Sequence, residues 1–124
     1  MALQFSIPLR TAIAAQIPPL LRTLKLFSGA EPANCAAGDP SGLLCTLSLP
    51  SPSLTAANGQ GVLAGTWSGI ASGIGTAASF RGYDAQGACH VQGDAISDLA
   101  LNNARLSVGQ TVLVSGFAVT VDNA

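Results

Sequence analysis

Charge is what this sequence has least of. Of its 124 residues 9% are charged, 5 Lys or Arg against 6 Asp or Glu, where an ordinary soluble domain carries roughly 25%. So weakly charged a surface does little to repel its neighbours, and a net charge of -1 favours association over dispersal. The cations Arg10, Arg22, Lys25, Arg81 and Arg105 are scattered, with no cluster able to neutralise a run of phosphates, so nucleic acid is not an expected partner. Long apolar runs are missing too. Arg10 and the Pro18-Pro19 pair interrupt the one stretch that approaches the ~18 residues of a spanning helix, so no membrane partner is expected either. That stretch also lacks the basic start of a secretory leader, and it is expected to belong to the mature fold of a protein made in a cytoplasm.

Cysteine is scarce and odd in number. Cys35, Cys45 and Cys89 carry no CxxC spacing, and their odd number excludes a closed disulfide framework while leaving room for one bridge; free buried thiols are the expectation for a reducing place of synthesis. Aromatics are 5% of the chain, too few for a broad stacking platform, and the single tryptophan, Trp67, reads as a core or interface anchor.

What is present is a succession of short apolar stretches separated by turn residues. The longest, Gly109 to Asp122, alternates Leu113, Ser115, Phe117, Val119 and Val121 against Val112, Val114, Gly116, Ala118 and Thr120. Both sets are mostly apolar or small, which predicts one long strand covered on both faces, or covered on one side by its fold and on the other by a partner. Near the N-terminus Ser6 caps a helix that begins at Ile7 and stops near Gln16 before the prolines. Its apolar stripe is Leu9, Ile13 and Ile17.

Further strands are expected at Arg22 to Ser28, Leu43 to Leu49, Gly61 to Ser68 and Ala104 to Ser107. A hairpin is expected from Ala78 to Asp94, with Cys89 and Val91 on one face and His90 and Gln92 on the other. Gly29 to Gly42 reads as a long loop, which in a compact domain points to function or partner contact. The glycine-rich Gly69 to Ala77 is left unassigned. About seven or eight short strands with one short N-terminal helix predict an all-β, antiparallel jelly roll or β-sandwich, with a closed barrel as the topological alternative. Length permits one domain over residues 1–124, with an arm and helix in 1–19 and the β-sandwich in 20–124.

Chemistry is sparse. His90, the single histidine, shares its predicted face with Gln92 and Asp94 and lies across the hairpin from Asp84, but no GxSxG elbow accompanies it. The types for a zinc site exist in Cys35, Cys45, Cys89 and His90, yet the last two are adjacent and alternate in direction. Asp94 and Asp98 are the candidate loop carboxylates for calcium. No catalytic, cofactor or metal residues are assigned.

The order of the phrases SGAEPANCAAGDPSGLLCTLSLPSP at 28–52, ASFRGYDAQGACHVQGD at 78–94 and LALNNARLSVGQTVLVSGFAVTV at 99–121 resembles small virion proteins of tailed bacteriophages. Within that group the likeness is to the cement or decoration proteins of the head. The resemblance implies an oligomer, a homodimer or homotrimer, bound to the major capsid protein on the outer capsid surface and made in the host cytoplasm. Expected contact residues are Leu3, Phe5 and Ile7 of the arm and Glu31, Pro32 and Asn34 of the loop. Alternatives are a tail or neck protein, or a virion-surface glycan-binding module using Trp67 or Tyr83.

Overall fold

The structure is a computed structural model that describes residues 4–120. The described chain is all-β and antiparallel, with one short N-terminal helix. Helix α1, Ile7–Ala14, begins where expected: Ser6 has extended backbone, its Oγ accepts the Leu9 N–H, and Pro8 sits in the first turn. A single 3-10 turn, Pro18–Leu20, follows.

The strands are β1 Thr23–Phe27, β2 Leu43–Ser48, β3 Leu54–Ala57, β4 Gln60–Leu63, β5 Trp67–Ile70, β6 Gly75–Thr76, β7 Ser79–Tyr83, β8 Cys89–Asp94, β9 Ala100–Leu101, β10 Arg105–Leu106, β11 Thr111–Gly116 and β12 Ala118–Thr120. They form a four-stranded sheet β2-β1-β7-β8, two three-stranded sheets β5-β11-β9 and β12-β4-β3, and the pair β10-β6. One contiguous core joins all four, with Leu24, Leu26, Leu44, Leu47, Leu54, Trp67, Phe80, Leu106, Val112, Val114 and Phe117 among its members. Trp67 is fully buried and donates its indole N–H to the Ser53 carbonyl at 3.1 Å. Phe117 packs against Trp67 and edge-on against Phe80, with ring centroids 5.5 and 5.7 Å apart.

The expected long strand from Gly109 is broken in two. β11 pairs with β5 and β9, but its register against β9 shifts between Val114 and Gly116, so Ser115 is an extra residue in the ladder. Past that bulge the chain leaves this sheet, and β12 pairs with β4. Parity changes with it: Val112 and Val114 point into the core, and the next inward residue is Phe117 rather than Gly116. Leu113 and Ser115 are exposed, so the fold itself covers the stretch on one face only.

The strand buried on both faces is β7, all five of whose residues are buried. The stripe expected on α1 is also corrected. Ile7, Leu9 and Ile13 are 52%, 48% and 39% exposed, Ile17 alone of the predicted stripe packs on the core, and Ala14 is the buried helical residue. The helix docks instead on the β3-β4 hairpin, where the Thr11 hydroxyl accepts the Gly59 N–H at 2.8 Å. That hairpin turns on Asn58-Gly59, both at positive φ (52° and 74°), the two-residue turn that twists with its strands. Within Gly69–Ala77, a Cβ on Gly73 would lie 2.6 Å from the Leu43 carbonyl oxygen. The glycine lets this segment lie against β2.

Candidate functional site

The outer face of the four-stranded sheet is roofed by the 29–42 loop, and Arg81 is the post between them. Cross-strand pairing sets Lys25 beside Arg81 and Arg81 beside Gln92, so these residues share the face turned away from the core, while Leu24, Leu26 and Phe80 point inward. Its guanidinium uses Nη1 for Asp39 Oδ1 at 3.0 Å and Nη2 for the Asn34 carbonyl at 2.9 Å. Nε and Nη2 both donate to Gln92 Oε1, at 3.2 and 3.1 Å. Gln92 in turn donates to the Pro32 carbonyl at 2.7 Å, and Ser79 donates to the Gly29 carbonyl at 2.7 Å. The loop's carbonyls thus satisfy the polar groups of β7 and β8 that would otherwise face water or lie buried and unpaired.

Asp39 is the anionic end of this network. It accepts the Tyr83 hydroxyl at 2.6 Å as well as Arg81, and these donors hold its carboxyl below the usual range, Tyr83 contributing most. Burial and the Asp39 carboxylate push the Tyr83 phenol up, keeping it a donor. The Lys25 ammonium lies 5.0 Å from the centre of the Tyr83 ring. Arg81 itself is fixed by its bonds to the loop and to Gln92.

The β7-β8 hairpin forms as expected, but its faces do not alternate as expected. Gly82 pairs with Val91 and Tyr83 with Cys89, which makes His90 an extra residue in β8. Cys89 therefore shares the loop-covered face with Gln92, while Val91 packs on the core. Cys89 and Cys35 bring their sulfurs to 2.9 Å across the loop-sheet layer, and Cys45 lies in the core. All three are free.

His90 meets Asp84 at 2.8 Å. The other Asp84 oxygen accepts the N–H groups of Gln86 and Ala88, which, with His90 after Ala88 in weight, hold this carboxyl below its usual range. The pair closes the hairpin turn. Asp94 and Asp98, the calcium candidates, are likewise engaged with backbone: Asp94 accepts from Ile96 and Ser97, and Asp98 accepts from Asp94. Among the described residues no three His, Cys, Asp or Glu side chains gather as a metal site, and no helix is long and apolar enough to cross a membrane.

The expected contact residues scatter. Leu3 lies outside the described residues, Phe5 is half-buried, and Ile7 is on the exposed helix face. Glu31 is exposed, whereas the carbonyls of Pro32 and Asn34 are directed into the Arg81 network and the Asn34 side chain accepts the Ala36 and Ala37 N–H groups. These bonds hold the loop down on the sheet. Tyr83 and Trp67 are both buried, so neither presents a ring for stacking on a sugar. The sequence reading missed Arg81 as the organising residue; the signal was an arginine between Phe80 and Gly82 in a strand otherwise free of charge. No protein-family model, curated protein or solved structure matches this chain.

Proposed function

We propose that this protein is a structural component of a tailed-bacteriophage virion, an oligomer that binds the major capsid protein lattice on the outer surface of the head and cements it. The observation that carries the reading is the outward apolar face of α1, where Ile7, Leu9 and Ile13 stand exposed on a helix seated by its other side. A chain with 9% charged residues places little electrostatic opposition around that face. Burying it against a capsid subunit or another copy contributes about 25 cal/mol per Å² before association costs, and repetition over a lattice turns a weak single contact into firm retention. The role is adhesive and contains no catalytic step, cofactor, nucleic acid or membrane. Its test is co-sedimentation of the purified chain with empty heads, comparing the native sequence with an Ile7→Ser, Leu9→Ser, Ile13→Ser variant. The native chain is expected to pellet with heads and the variant to stay in the supernatant while remaining folded. Equal retention of both rejects α1 as the anchor; retention by isolated tails and not by heads moves the protein to the tail or neck.

A further inference from the structure

The Cys35-Cys89 approach is built by the same features that hold the loop. Cys35 sits in a turn closed by the Asn34 side chain, one residue from the carbonyl that Arg81 holds. The His90 bulge is what turns Cys89 to that side of the sheet. The two sulfurs, 54 positions apart in sequence, are 2.9 Å apart, within an ångström of the roughly 2.05 Å of a covalent S–S bond. Both residues are half-buried, so a small reagent reaches them, while Cys45 is fully buried on the opposite face.

We propose that Cys35 and Cys89 form a redox-responsive pair that closes into an intramolecular disulfide when a small-molecule disulfide such as oxidised glutathione is present, clamping the 29–42 loop to β8. The order of attack follows from the surroundings. Cys89 donates to Cys35 across that gap, and burial first, then this hydrogen bond and the charge on Cys35, push the Cys89 thiol up to about 12, so Cys89 keeps its proton and the Cys35 sulfur stands as the acceptor. Cys35 therefore acts first: its thiolate attacks one sulfur of the reagent, forming a mixed disulfide and releasing one reagent thiolate. With Cys35 capped, burial still opposes the Cys89 thiolate, but the hydrogen bond and charge of Cys35 no longer do, and the attraction of the Arg81 guanidinium remains. Cys89 loses its proton to solvent and attacks the Cys35 sulfur, expelling the second reagent thiolate. In sum the two cysteines lose two electrons and two protons, and the reagent disulfide is reduced to two thiols.

The closed bond joins distant parts of the chain and restricts the unfolded state. The test is to incubate the full-length protein with oxidised glutathione and then map its peptides under non-reducing conditions. Expected are a monomer mass lower by two hydrogens, a single Cys35-Cys89 cross-linked peptide, and Cys45 open to alkylation only after unfolding. The thermal midpoint should rise on the order of 10 °C over the reduced protein and return on reduction. Cys35→Ser and Cys89→Ser variants should show no oxidant-dependent shift. Separate glutathione adducts without a cross-link, a bridge that involves Cys45 or joins two copies, or a cross-link that leaves the midpoint unchanged would each overturn the proposal. The mass and peptide map of the native chain decide it even if neither variant folds.

Discussion

Arg81 and Asp39 meet at 3.0 Å across a layer boundary, and the pair is lopsided: the arginine side chain is 2% exposed and the carboxylate 46%. The buried partner carries the structural weight. Asp39 can be hydrated when the pair opens, but Arg81 has only the loop and Gln92 to replace water.

Replacing Arg81 should therefore release the loop rather than unfold the core. Arg81→Met, which keeps much of the volume and removes the donors, is expected to cost about 2–4 kcal/mol in urea unfolding. Hydrogen exchange should rise across residues 29–42 and at Gln92, with β11 unchanged. Arg81→Lys should recover little of this, because one ammonium cannot reproduce donors spread over three acceptors.

Acid should weaken the same joint in a defined window. The folded carboxyl of Asp39 titrates below its unfolded value, mainly because of Tyr83 and then Arg81, so its contribution is complete above the unfolded pKa of about 3.9 and is lost as pH falls through the folded one. Thermal midpoints of the native chain and Asp39→Asn should differ by a constant amount from neutral pH to about pH 5 and converge below about pH 4. A difference that instead varies between pH 6 and 8 would mean another group governs the loop.

At the β3-β4 turn, Gly59 has φ of 74° and a Cβ there would come 3.1 Å from the Arg10 Cβ. Gly59→Ala is expected to destabilise the protein by about 1–2 kcal/mol through backbone strain alone. Because Gly59 also donates to Thr11, the circular-dichroism signal of α1 should fall before the sheets melt.

Inserting one alanine between Ser115 and Gly116 offers the sharpest test of the bulge. With a second added residue the parity beyond Val114 flips again, Phe117 turns outward, and its contacts with Trp67 and Phe80 are lost. The expected loss is of the size of a large core truncation, about 3–5 kcal/mol. Trp67 fluorescence, red-shifted toward that of a solvated indole, would report it.

The two bulges also explain which parts of the fold were legible in sequence. Strand positions in the 78–94 hairpin and the start of α1 followed from turn residues and a capping serine, signals that act within a few residues. Side-chain direction did not follow, because Ser115 and His90 each add one residue that hydrophobic alternation cannot reveal, and everything beyond them points the other way. The strand that the fold covers on both faces is hidden in the sequence for a related reason. β7, read as Ser-Phe-Arg-Gly-Tyr, looks half wet because its second cover is a loop offering carbonyls rather than apolar side chains. The Asn58-Gly59 pair is itself a turn signal in the sequence, and it implies a strand on either side of it, β3 as well as β4. Of the site, the long loop was recognised as purposeful, but its inward attachment needed a distance of 47 positions between Arg81 and Asn34 to be closed first.

The seat of α1 sets how any grip on that helix would be felt. The helix touches the rest of the molecule mainly at one hairpin, by the packing of Ala14 and a bond from Gly59 to Thr11. A pull applied through Ile7, Leu9 or Ile13 passes through that small joint before it reaches the β12-β4-β3 ladder. Under mechanical load the helix should peel away while the sheets stay intact, making it the fuse of the molecule.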